Sequence, residues 1–363
     1  MSEKKNITGA TRPVPVRIVF SILLIIITIS ILYGGFVFLR MAPVIKPLLA
    51  IIAILWGTGG ILLFYLMLDR MINLFPEKLR NALQPIIFVG PALLILAWFL
   101  FIPTIRSLVL SMFNPKGEFV FLGNYLKAIM SKYFLQVMLN NIIWVILGPG
   151  LAVFFGLVIA LLADRSSFEV PAKALIFLPM AISFIGAGVI WKFIYAYKPP
   201  GEVQIGLLNA ITGLFGMKPQ NWIIMYPLNS VLLVMILVWM QTGYAMVLIS
   251  SAIKGVPDTL LEAARIDGAG ELRIIFSIIM PYIKGTVITV GTTIVILTLK
   301  IFDIVYSMTG GNYSTDVIAT LQYKEMFVFK NYNMGSAYAI ILLIAVLPAI
   351  AYNLKQFNER KAF

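Results

Sequence analysis

The chain has 363 residues, 61% of them hydrophobic and only 12% charged, with a mean hydropathy of +0.97. That balance excludes a water-soluble globule and makes a bilayer the solvent. The net charge of +13 sits on Lys and Arg at the ends of apolar runs, where orientation and lipid headgroups account for it and nucleic acid does not. With no Cys and no His, disulfides and thiolate or imidazole chemistry are excluded, and most hydrolytic and metal-site enzymes with them.

In chain order, the basic, turn-rich stretch 1–17 reads as a cytoplasmic tail. The apolar run from Ile18 to Leu39 is too long for a signal-peptide core and lacks a small-residue cleavage site, so it predicts a retained first helix. Further spans are expected at Leu48 to Leu68, Ile86 to Ile105, Asn141 to Ala163, Ala174 to Tyr195, Leu228 to Ile253, Thr286 to Tyr306 and Ala337 to Leu354. Each is near the ~20 residues that cross hydrocarbon as a helix; Gly57, Gly59 and Gly60 make the second the weakest. The expectation is an all-α, polytopic membrane protein of about eight transmembrane helices. Lys and Arg are more numerous in the loops that share a side with the N-terminus, which places both termini in the cytoplasm.

One inside loop, Lys254 to Gly285, has helical periodicity. Pro257 and Asp258 suit the first turn of a helix, which is expected to run to about Asp267. Leu260, Leu261 and Ala264 form its apolar side, with Glu262 and Arg265 spaced for an i,i+3 ion pair. Gly268 and Gly270 break it, and helix resumes from Glu271 to Ile279 until Pro281. On periodicity alone this is an amphipathic hairpin capping the bundle.

The residues carry more than the periodicity does. Glu262, Ala263 and Ala264, then Asp267 and Gly268, then Ile278 and Pro281 resemble the EAA loop of ABC importer permeases, with Met280 where that family usually has Leu. FLGNY at Phe121 to Tyr125, FLP at Phe177 to Pro179 and FDIVYSMTGG at Phe302 to Gly311 resemble its carbohydrate-importing branch, the relatives of the larger maltose permease subunit.

The resemblance implies a type I permease core of six helices over 85–355, preceded by two added helices over 18–84, with the coupling loop at 255–283 and a cytoplasmic tail at 356–363. It also implies that Glu262, Ala263, Ala264, Asp267, Gly268 and Pro281 couple the chain to a separate ATP-hydrolysing subunit. The implied assembly has a second permease subunit, two copies of the ATP-binding subunit and an external sugar-binding protein, in a bacterial or archaeal cytoplasmic (inner) membrane. This chain would bind no cofactor and be no enzyme, with ATP and Mg on the partner ATPases; no G-x-x-x-x-G-K-[ST] occurs in it.

Polar and aromatic residues within spans are the substrate-path candidates, because a dehydrated sugar needs hydrogen-bond partners and ring faces. In span five these are Met180, Ser183 and Phe184, just after the helix-kinking Pro179. In span six they are Trp239, Gln241, Thr242 and Gly243. In span seven Lys300 and Asp303 are expected on one helix face, either meeting substrate or forming a structural ion pair. Three other readings stay open: a permease for another solute such as a glycerol-phosphate ester, an ion-coupled secondary transporter, and a membrane-embedded enzyme.

Overall fold

A computed structural model describes residues 14–361 apart from Ala42, Val44, Leu74, Arg165, Ser167 and Pro200. Four of the basic residues that count toward the cytoplasmic side, Lys4, Lys5, Arg12 and Arg165, lie outside the described residues. Contacts divide the chain into two units between Thr104 and Ile105. Among the described residues seven helices are long and apolar enough to cross a membrane, or eight if one bent pair counts as a single span.

The first unit holds α1 (Val14–Met41), α2 (Lys46–Ile72) and most of α3 (Glu77–Ser111). Among its described residues only Thr28, Gly60 and Ile72 are buried, so these helices are apolar on all sides and bear their side chains outward, as a lipid solvent requires. Gly35 lets α1 and α2 close up: a Cβ there would fall 2.0 Å from the Trp56 indole. The glycines of α2 do not break it, because a helix in lipid keeps its internal hydrogen bonds for want of any competing donor.

The second unit contains α4 (Gly123–Met130), α5 (Lys132–Ala163), α6 (Glu169–Phe177), α7 (Phe184–Ile194), α8 (Leu207–Leu214), α9 (Leu228–Ile253), α10 (Asp258–Ile266), α11 (Glu271–Leu299), α12 (Asp303–Thr309), α13 (Ile318–Tyr323) and α14 (Tyr332–Lys361). At its centre α9 packs along α5, burying Leu233, Leu237, Met246 and Ile249. Small residues set the approach. A Cβ on Gly156 would sit 2.6 Å from Ala245 Cβ and 2.8 Å from Met246 N, and one on Gly148 2.8 Å from Leu237 Cδ2.

Two expected spans are corrected. The run Ala174 to Tyr195 is not one helix: α6 ends in a 3-10 turn at Leu178–Ala181, and α7 leaves at 104°. Pro179 removes a donor, while extended Ser183 caps α7 by accepting from Gly186 N at 3.1 Å. The expected span Thr286 to Tyr306 begins earlier and stops sooner. It is continuous from Glu271, because a π turn at Ile275–Ile279 seats Pro281 in the first turn of the next α segment, where its missing N–H costs nothing.

That same helix ends at Leu299, with Lys300 as its C-cap and Asp303 opening α12. Lys300 and Asp303 therefore do not share a helix face, and no ion pair joins them. Each charge instead meets the helix dipole end of opposite sign.

The loop between α12 and α13 is pinned by buried polar groups. Asn140 donates to the carbonyls of Ser314 (2.7 Å) and Asp316 (2.8 Å), and Asn141 accepts from Ile318 N at 2.8 Å. The Asp316 carboxylate, 1% exposed, accepts from Thr320 (2.8 Å), Lys324 (2.7 Å) and Tyr133. Gly311, at φ +76°, leaves room for it, since a Cβ would fall 1.6 Å from Asp316 Oδ1. Gly311→Ala is expected to cost at least ~3 kcal/mol by disturbing a buried charge network, read as a lower thermal midpoint in tryptophan-fluorescence unfolding of the detergent-solubilised protein.

Candidate coupling surface and translocation cavity

The loop after α9 has one face held and one free. Asp258 lies in the first turn of α10, as the sequence predicts, while Pro257 stands one position earlier, at the extended N-cap and not in the first turn. Buried Val256 and partly buried Leu261, Ala264 and Ala269 pack into the core formed by Ala245, Met246, Ile249 and Ile274. The C-terminus closes with Ala269 N donating to Ala264 O (2.9 Å) and Gly268 N to Arg265 O (3.0 Å), Gly268 being left-handed at φ +77°.

Glu262, Ala263, Asp267 and Gly268 lie on the exposed side. The expected pair of Glu262 with Arg265 is corrected: Arg265 Nε faces Glu271 Oε1 at 3.5 Å across the glycine turn, and Glu262 has no ionic partner among the described residues. Pro281, exposed in α11, sits apart from this patch. Ile266, 85% exposed and three residues after Ala263, belongs to the free face and was missed in the sequence. An apolar side chain at the end of a polar face was the available signal.

The broken span and α9 border a largely open cavity of about 480 Å³. Its walls are Leu175, Ile176 and Pro179 from α6 and the break, Trp191 from α7, Met235, Val238, Trp239 and Thr242 from α9, and Phe155 and Ile159 of α5. Trp191 and Trp239 meet edge to face, with ring centroids 5.8 Å apart at 68°. The Trp191 Nε1–H is buried and finds no hydrogen-bond acceptor among the described residues. Gly243 permits the close approach of α6, since a Cβ there would fall 2.5 Å from Ile176 O.

Of the substrate-path candidates, Trp239 and Thr242 line this cavity. Thr242 turns its hydroxyl to Val238 O at 2.7 Å, while Gln241 and Gly243 are buried beside it in α9. Ser183 spends its hydroxyl on the α7 cap, Phe184 packs into the core around Ile304 and Val305, and Met180 is exposed. Lys300 and Asp303 are not among its lining residues. Trp191 and Phe155 were missed, because only the fold brings them opposite Trp239.

Among the described residues the chain is a set of apolar, membrane-length helices with one broken span, an open cavity beside the break and a half-exposed helical loop, an architecture suited to a membrane transport subunit. Residues 152–363 match the family described as binding-protein-dependent transport system inner membrane component, and the chain belongs to it. It is 46% identical over 275 residues to an osmoprotective compounds uptake permease protein of Synechocystis sp., covering 76% of this chain and 99% of that one. To an alpha-glucoside transport system permease protein of Rhizobium meliloti it is 45% identical over 280 residues, or 77% of this chain and 83% of that one. The crystal structure of a bacterial alginate ABC transporter, bound to a periplasmic protein carrying alginate pentasaccharide, shares the fold at a TM-score of 0.65 and 17% identity, covering 76% of this chain and 96% of the matched one.

Proposed function

We propose that this chain forms part of the translocation path of an ATP-driven importer and passes a carbohydrate, an α-glucoside of two or more rings, into the cytoplasm. The observation that carries this reading is the Trp191–Trp239 cavity against the broken span. Indole faces take the apolar side of a pyranose, and helix breaks in a membrane place unpaired backbone groups where sugar hydroxyls can use them. The 45% identity to an alpha-glucoside permease supports the substrate class.

On this reading a second permease completes the path, an external binding protein delivers the sugar, and two copies of an ATP-binding subunit dock on the exposed face of α10. ATP and Mg stay on those subunits; this chain contributes no catalytic group. Both termini face the cytoplasm of a bacterial or archaeal cell. In that docking, Ala263 and Ile266 supply the apolar contact and Glu262 meets a basic partner, while Asp267, Gly268 and Pro281 set the path of the chain.

Proteoliposomes holding the complete complex test this. Uptake of labelled maltose, trehalose or sucrose is expected to need internal ATP and external binding protein and to ignore ionophores; uptake driven by an ion gradient without ATP would overturn it. Trp239→Ala is expected to lower uptake about tenfold, equivalent to ~1.4 kcal/mol, with membrane abundance retained. Lys300→Ala is expected to change uptake by less than about twofold, given the place of Lys300 at a helix end. A second reading, import of a small osmoprotective solute, is favoured by the 46% relative; competition of unlabelled glycosylated polyols against disaccharide uptake separates the two.

A further inference from the structure

At the end of α9 that leads into α10, four charges and one hydroxyl form a closed cluster. Lys173 of α6 donates to Glu169 Oε1 at 2.6 Å, to Asp164 Oδ1 and to Ser250 Oγ, and Ser250 donates to Asp164 Oδ1 at 2.7 Å. Lys254 reaches the same Glu169 oxygen. Asp164 caps the end of α5, Glu169 and Lys173 lie on α6, and Ser250 and Lys254 close α9. The side chains of Lys173 and Asp164 are only 16% and 11% exposed, so neither charge can lose its partners cheaply.

We propose that Lys173, Glu169 and Lys254 are positioning residues that carry movement of the Asp258–Ile266 helix to the wall of the Trp191–Trp239 cavity. The proposal rests on the reading of that helix as the docking site for an ATPase subunit. Lys254 lies three residues before Pro257, the N-cap of α10, so a displaced α10 moves its ammonium within one turn of chain. Its partner Glu169 is the first residue of α6, and Lys173 is three residues from Ile176, which lines the cavity.

Helix α6 is therefore gripped at both ends of a short lever. One grip is this ionic cluster; the other is steric, where Gly243 of α9 meets the Ile176 and Phe177 backbone. Because the span is broken between Pro179 and Ser183, α6 can turn without dragging α7, and Leu175 and Ile176 would shift against Trp239 as it does. The cluster suits a moving joint. Among the described residues its two carboxylates and two ammonium groups balance, and buried Asp164 Oδ2 has no hydrogen-bond partner there, so that oxygen can take up an ammonium as the ion pairs exchange.

The test uses the complete transporter in proteoliposomes, with ATP hydrolysis and uptake measured together at saturating binding protein, on whichever of maltose, trehalose and sucrose the wild type imports. Lys254→Met alters a half-exposed side chain and is expected to lower sugar imported per ATP at least fivefold, with protein level and thermal midpoint retained. Lys173→Met is expected to lower it tenfold or more. Lys254→Glu is expected to uncouple strongly, whereas Lys254→Arg, which keeps the cation beside Glu169, is expected to keep coupling to within about twofold of wild type.

Wild-type coupling in Lys254→Met and Lys254→Glu would overturn the proposal. So would losses of uptake that only track protein level in Lys254→Met, Lys173→Met and Lys254→Glu, which would make the cluster structural. Failure of the docking reading shows separately: Glu262→Cys supplies the only thiol in a cysteine-free chain, and no cross-link to an ATPase subunit would remove that reading whatever Lys254 does. A cross-link together with full coupling in Lys254→Met would remove this proposal alone.

Discussion

Gly156→Val is expected to abolish folded protein, with the monodisperse peak in detergent size-exclusion falling at least tenfold. The new Cβ would sit 2.6 Å from Ala245 Cβ and 2.8 Å from the Met246 amide nitrogen. The backbone contact cannot turn aside as a side-chain end can, so α5 and α9 must part along their buried seam. Overpacking of this kind costs typically 1–3 kcal/mol and more where backbone must move, and here it opens the contact on which the second unit is built. Gly150→Val is the control. It lies on the same helix with no atom within 4 Å of its Cβ position, and its yield is expected to match wild type. A monodisperse, normal-yield Gly156→Val protein would contradict the α5–α9 packing.

Glu262→Lys is expected to lower ATP-dependent uptake at least tenfold while the thermal midpoint of the isolated chain moves by no more than about 1 °C. Glu262 is exposed and has no ionic partner among the described residues, and surface charges of that kind contribute little to stability. Any functional loss must then come from a surface outside this chain. Gly268→Val probes the same loop through its backbone. Nothing lies within 4 Å of its Cβ position, but φ is +77°, a conformation that costs a β-branched residue roughly 1–2 kcal/mol. The expected result is intact membrane insertion with uptake lost and the ATPase subunit no longer co-purifying. Normal coupled uptake in both variants would sink the assignment of α10 as a docking helix.

The sequence by itself determined whatever local chemistry specifies. Apolar run length set which segments lie in the membrane, though not where each helix begins, ends or breaks, because a bilayer demands ~20 residues of satisfied backbone. Pro257, Asp258 and Gly268 set the bounds of the loop helix, because a missing N–H, a carboxylate at the dipole end and a left-handed cap each act within one turn. Trp239 and Thr242 could be picked out as polar or aromatic residues inside an apolar run.

Only the tertiary structure decided how distant segments meet. Trp191 faces Trp239 because a 104° break turns α7, and Pro179 alone signalled a kink of no particular size. Helix α11 absorbs Pro281 through a π turn and then stops at Lys300, so the spacing of three that put Lys300 and Asp303 on one face had no continuous helix to act through. Lys173 finds Ser250 across 77 residues, and Ser250 finds Asp164 across 86. A buried ammonium must collect its partners from whichever helices pack around it, and periodicity along one helix carries no record of which helix that will be.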